Sequence, residues 1–157
     1  MTAETATHRP TRARLGVMGL ISVATLLNYM DRAVMGVAAP SLTAELAISP
    51  EMMGVIFSAF SWTYAAAQIP GGLILDRLGA RITYAGSLIL WSFFTLLHGM
   101  AANVAMLFGF RLALGVAEAP CYPCNSRILS SWFPQHERAR ANSVYAVGQY
   151  AGLAIFS

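Results

Sequence analysis

Two stretches without a formal charge constrain this chain most: residues 52–75, 24 in a row, and residues 82–110, 29 in a row. About 20 apolar residues in a helix cross the ~30 Å hydrocarbon core of a bilayer. The first stretch therefore matches one span. The second is too long for one and breaks naturally at Gly99–Asn103, which divides it into helices over about 82–101 and 104–126. Only 11% of the residues are charged, against roughly 25% in soluble domains. Hiding that much apolar surface from water would need a far larger core than 157 residues can build. The solvent is lipid.

The remaining segments follow from the same reasoning. Leu15–Leu27, behind Arg9, Arg12 and Arg14, has the layout of a signal-peptide core. It continues past the polar Asn28–Arg32 into the apolar residues 33–39, so 15–39 reads as one membrane helix, with 1–14 as a basic tail. The helix over 104–126 carries Arg111 and Glu118 and is expected to kink or end near Pro120 and Pro123. A fifth apolar run, 141–157, reaches Ser157 without a terminating signal, and the expectation is a bundle of four full helices and part of a fifth.

Arginine placement orients these helices. All ten basic residues are Arg, and eight lie in segments 1–14, 76–81 and 127–140, with none in 40–51 or 98–103. By the positive-inside rule the three basic segments face the cytoplasm, which also accounts for the basic balance without nucleic acid. Two Arg remain, Arg32 and Arg111, both inside spans together with Asp31 and Glu118. A charge near the bilayer centre costs at least ~2.5–3.5 kcal/mol on insertion scales, so these four require an explanation. Structural salt bridges are one; a binding cavity is the other. Counting 1.5 Å per residue puts Asp31, Arg32 and Arg111 at one level and Glu118 ~10 Å deeper, with Arg111 and Glu118 on one helix face looking into the same cavity. Tyr64 and Gln149 fall at intermediate depth. Two guanidiniums suit a carboxylate ligand, and two desolvated carboxyls suit proton uptake.

Enzyme chemistry finds little support. There is no Ser/His/Asp or H-E-x-x-H pattern, and His8, His98 and His136 are scattered, so neither a metal nor a cofactor is expected. Cys121 and Cys124 form a C-x-x-C inside an apolar run, where packing between helices is the expected role. Gly148 and Gly152 form a G-x-x-x-G expected to pack helix five within its own bundle.

Several separate motifs resemble the major facilitator superfamily. Gly72-Leu73-Ile74-Leu75-Asp76-Arg77-Leu78-Gly79-Ala80-Arg81 resembles its G-x-x-x-D-R-x-G-R-R loop, with Ala80 replacing a basic residue; Arg111 to Gly115 resembles its R-x-x-x-G. Gly72 would allow close helix approach, Gly79 a tight turn, and Asp76 would accept from Arg or backbone donors. Tyr29-Met30-Asp31-Arg32, Glu118-Ala119-Pro120 with Pro123 and Asn125, and Trp132-Phe133-Pro134 with Glu137-Arg138 resemble the anion:cation symporter branch, in particular bacterial sugar-acid transporters of the galactonate type. The resemblance implies an all-α membrane protein: the N-terminal part of a six-helix bundle, in the bacterial inner membrane with its N-terminus cytoplasmic. It further implies that Arg32, Tyr29, Tyr64 and Gln149 bind a small carboxylate, that Asp31 and Glu118 carry protons, and that Arg111, with the Gly72–Arg81 loop, serves charge pairing and gating. The second half of such a transporter would be the missing partner. A truncated membrane fragment that only associates with other helices is the alternative.

The orientation is testable. Single cysteines at Ser49 or Ala102, in a background lacking Cys121 and Cys124, should react with an impermeant thiol reagent applied to intact cells, and one at Gln135 should not. The reverse pattern refutes the orientation drawn from Arg placement.

Overall fold

The computed structural model describes residues 13–155; the basic tail expected over 1–14 lies outside them except for Ala13 and Arg14. The described residues form five helices in chain order: α1 Ala13–Leu46, α2 Pro50–His98, α3 Val104–Glu118, α4 Cys121–Trp132 and α5 Gln135–Ala154. The chain is an all-α membrane protein. Large apolar side chains such as Leu20, Trp62 and Ile69 are more than 70% exposed, which is tolerable only where the surroundings are hydrocarbon. Among the described residues, three stretches are long and apolar enough to cross a membrane: α1, α2 and the pair α3–α4.

Local chemistry sets where these helices begin and bend. Ser49 caps α2 by accepting from the Met52 amide at 3.3 Å, with Pro50 and Glu51 following in the first turn. Asn103 caps α3 by accepting from the Met106 amide at 2.8 Å. The 49 residues of α2 would extend ~73 Å, twice a membrane's thickness, as one straight rod. Gly79 breaks that rod, with φ 79° and ψ 161°, a backbone conformation that favours glycine. Residues 50–78 and 80–98 are thus two helical arms joined through one residue, where the sequence suggests a loop over 76–81. Helix α1 runs on through Pro40 to Leu46, beyond the expected end at 39, with Leu42 and Leu46 packed against the cluster of Met35, Ile48, Met53, Ile56 and Leu107. The break between α3 and α4 falls at Ala119–Pro120. Helix α5 starts at Gln135, six residues before its apolar run, because Gln135–Arg140 form a charged first turn and a half behind Pro134.

The helices pair unequally. α1 packs mainly along α5, α2 mainly along α3 and then α4, and α1 touches α2 at few places. Glycines set the closest approaches. A Cβ on Gly152 would lie 2.5 Å from the Leu26 carbonyl oxygen and one on Gly148 would lie 2.9 Å from that of Ser22, so the G-x-x-x-G lets α5 pack on α1 within the bundle. On α3, a Cβ on Gly115 would meet the Thr63 hydroxyl and, at 2.6 Å, the Phe60 carbonyl oxygen. Gly72 does not play the close-packing part expected of it: nothing lies within 4 Å of its would-be Cβ, and its neighbour Gly71 meets Pro120 instead. One residue is 100° of helix, enough to turn a motif glycine from the contact to the open side.

Gly115→Ala and Gly152→Ala should each cost about 1–3 kcal/mol through overpacking against backbone, whereas Gly72→Ala should be neutral. Thermal unfolding of the detergent-solubilised protein checks this; equal effects at all three positions would contradict the packing described.

Candidate functional site

The loose seam between α1 and α2 is where the polar groups collect. Arg32 leaves α1 and places its guanidinium carbon 4.9 Å from the Tyr29 ring centre, 4.8 Å from Phe60 and 4.9 Å from Tyr64. Such rings attract a cation through their electron-rich faces. Its Nε and Nη2 both donate to Glu118 Oε1, at 3.3 and 3.0 Å. Glu118 ends α3 at only 2% side-chain exposure, while Arg32 retains 28%. An ionised carboxylate this deep is sustained by a close cation with hydrogen bonds, and loses that support if the cation is taken elsewhere. Asn28, Asn125, Tyr84 and Tyr145 join the walls of the cleft. Gln149 of α5 donates to the Tyr29 hydroxyl at 2.9 Å, tying the two helices together across the site. The cleft measures about 20 Å³, room for about one water. It presents groups and does not enclose a ligand.

A second, larger cavity of about 320 Å³ is lined by Asp31, Thr95, His98 and Arg111 among apolar neighbours. Asp31 accepts from Trp91 Nε1 at 3.4 Å. Arg111 is 4% exposed, and its Nε has no hydrogen-bond partner among the described residues.

This division corrects the arrangement expected from depth alone. Arg111 and Glu118 were to share a cavity, with Glu118 below the level of Arg32. In the structure Arg32 pairs with Glu118, and Arg111 faces the other cavity together with Asp31. Two causes operate. Asp31 and Arg32 are adjacent on α1 and so diverge by ~100°, while the long Arg32 side chain spans the height difference. Arg111 and Glu118 do lie on one face of α3, but Leu114 stands between them, 1% exposed and packed with Phe60. Phe60 lies 4.8 Å from Arg32 and 5.9 Å from Arg111, an apolar partition touching both cations.

The other expected residues stand apart from this centre. Asp76 faces Arg127 at 4.0 Å with both side chains about two-thirds exposed, a pair of little energetic weight. Arg77 and Arg81 are exposed, at the bend made by Gly79. Cys121 and Cys124 are buried and not disulfide-bonded, and Cys121 borders the cleft. Phe60, Trp91, Thr95 and His98 are site residues that sequence reasoning passed over. Trp91, Thr95 and His98 recur at i, i+4 and i+7, a polar stripe in an apolar run that a search for charges does not register.

Comparison with known proteins places the chain in a family. The profile of the Major Facilitator Superfamily matches residues 21–157. The D-galactonate transporter of Escherichia coli O6:H1 (strain CFT073) is 42% identical over 149 residues, covering 95% of this chain and 35% of that protein. The probable galactarate/D-glucarate transporter of Escherichia coli K12 is 39% identical over 161 residues, covering 99% of this chain and 36% of that protein. The crystal structure of a bacterial homolog of the human lysosomal transporter Spinster, inward-facing and unoccupied, superposes with a TM-score of 0.84 at 29% identity, over 90% of this chain and 30% of that one. The chain spans about a third of the length of the curated relatives it matches. Its apolar helices and a family match over residues 21–157 agree: this chain is a multi-pass membrane protein and belongs to the Major Facilitator Superfamily.

Proposed function

We propose that the chain supplies the first helices of a transporter that moves a small organic anion, a sugar acid, by proton-coupled symport with alternating access. It is not an enzyme. The membrane is the bacterial inner membrane, and the N-terminus is cytoplasmic. The observation that carries the reading is Arg32: a cation half-enclosed by three aromatic rings, paired on one side to a single buried carboxylate oxygen. Relatives named for D-galactonate and for galactarate or D-glucarate support the substrate class.

Charge balance supplies the coupling. Arg32 and Glu118 together are neutral, and adding a carboxylate would leave a net negative charge in a site shielded from water, which is costly. If Glu118 takes a proton as the anion arrives, the guanidinium is released to grip the substrate carboxylate with two parallel bonds and the site stays neutral. Tyr29, Tyr64 and Gln149 offer hydroxyl and amide groups to the sugar acid's hydroxyls. Asp31 and Arg111 line the neighbouring cavity, where their opposite charges attract across the space without a direct ion pair among the described residues. Rocking of one six-helix half against another would expose the site alternately to each side, with the bend at Gly79 and the exposed Asp76, Arg77 and Arg81 placed at the cytoplasmic hinge. The walls that complete the binding site belong to the further helices of the transporter. A membrane piece that only associates with other helices is the competing reading, and any assembly containing it would take up nothing.

The test uses the full-length transporter in proteoliposomes, with D-galactonate, galactarate and D-glucarate as trial substrates. Arg32→Lys should weaken binding by about tenfold or more, since a point charge does not replace a planar two-pronged donor; calorimetry reads this. Glu118→Gln should still exchange labelled for unlabelled substrate yet fail to accumulate it under an imposed inward proton gradient. Normal accumulation would remove Glu118 from coupling. Loss of exchange as well, in a folded protein, would make the pair structural.

A further inference from the structure

The cavity that holds Asp31 and Arg111 also contains a histidine without a role so far. His98 is the last residue of α2, and its Nδ1 lies 2.8 Å from the Phe94 carbonyl oxygen. A carbonyl only accepts, so Nδ1 carries the hydrogen and donates it, and the lone pair of the neutral ring belongs to Nε2. That Nε2 is buried and has no hydrogen-bond partner among the described residues, and the same holds for Thr95 Oγ1 and Arg111 Nε. All three residues line one cavity of about 320 Å³. Buried polar atoms are nearly always paired, so three orphans on residues that line one otherwise apolar cavity mark a place where exchangeable water docks.

Position turns this cluster into a path. Trp91, Thr95 and His98 share one face of α2, and Trp91 Nε1 donates to Asp31 Oδ2 at 3.4 Å. The stripe thus leads from His98, beside the 99–103 link, to the Asp31 carboxylate ~10 Å further along the helix. The charged groups facing His98 are Arg111 from α3 and Asp31 from α1. Asp31 attracts a proton resting on the ring and Arg111 repels one, so a proton arriving there is passed on. Phe110 packs against the ring at 6.0 Å, flanking it on the α3 side.

We propose that His98 is a proton relay serving Asp31, on an access route separate from the cleft that holds Arg32 and Glu118. The proposal rests on the proton-coupled reading above. Nε2 takes a proton from hydronium arriving at the 99–103 end, giving an imidazolium and leaving neutral water. It then releases that same proton through water held at Thr95 Oγ1 to the Asp31 carboxylate, which becomes the neutral acid. The ring returns to its Nδ1–H form without breaking its bond to Phe94. One proton enters and one is taken up by Asp31, and the substrate cleft is not crossed.

The experiment compares the full-length transporter with His98→Ala and His98→Gln in proteoliposomes. Exchange of labelled D-galactonate (or whichever trial substrate the parent takes up) at equal pH on both sides needs no net proton transfer and should stay within about twofold of the parent. The initial rate of uptake driven by an inward proton gradient should fall by about tenfold or more, the scale on which positioned proton-transfer groups act. External 4-methylimidazole should raise the rate of His98→Ala severalfold, because a free imidazole replaces the missing one; a purely structural histidine would show no such rescue. Proton-driven uptake at the parent's rate in both variants overturns the relay, as does a rate loss that 4-methylimidazole leaves unchanged. Loss of exchange in both variants overturns it too, in favour of a structural role. A parent that accumulates nothing under the proton gradient refutes proton coupling itself, and is distinguished by the parent arm alone.

Discussion

The cost of a charge in hydrocarbon organises this molecule. Asp31, Arg32, Arg111 and Glu118 lie within membrane-spanning helices, and each must be turned away from lipid and given a partner of opposite sign. The Arg32–Glu118 bond satisfies that demand most completely, with two donors on one oxygen of a carboxylate that is nearly out of contact with solvent. Everything nearby serves it. Three rings surround the guanidinium, Gly115 brings α3 close enough to α2 for Phe60 to take part, and the pair Gly148–Gly152 brings α5 against α1 so that Gln149 reaches Tyr29.

Four charges gathered in one space would be a poor arrangement for selective pairing, because each would sense all the others at low dielectric. Phe60 and Leu114 divide them into two compartments. The cleft with Arg32 and Glu118 has aromatic and amide groups suited to a hydroxylated anion. The cavity with Asp31 and Arg111 has a histidine and a threonine among apolar side chains, with unpaired polar atoms among the described residues. This keeps the Arg32–Glu118 pair apart from Asp31 and Arg111, with Phe60 lying near both cations.

Much of this was legible beforehand, for reasons that differ by residue. The membrane spans follow from charge-free length, which depends on composition along the chain and not on contacts. The intramembrane charges were visible because they are rare where they stand. Phe60, Trp91 and Thr95 were not, since an aromatic or a hydroxyl in an apolar run looks like any other packing residue until its neighbours are known. Gly72 shows the converse: a motif position with a reasonable packing role that geometry assigns to Gly71.

By itself the sequence determined that the chain is a membrane-embedded helical bundle, that four charges lie inside it and that its helices are punctuated at Gly79, Asn103 and Pro120. Only the tertiary structure decided which charge meets which. Depth along a helix is a sum of 1.5 Å steps and can be counted from the sequence. The direction in which a side chain leaves the helix, and what stands in its way, depend on how neighbouring helices rotate and approach. That is why Arg32 finds Glu118, and why Leu114 and Phe60 keep Arg111 from it.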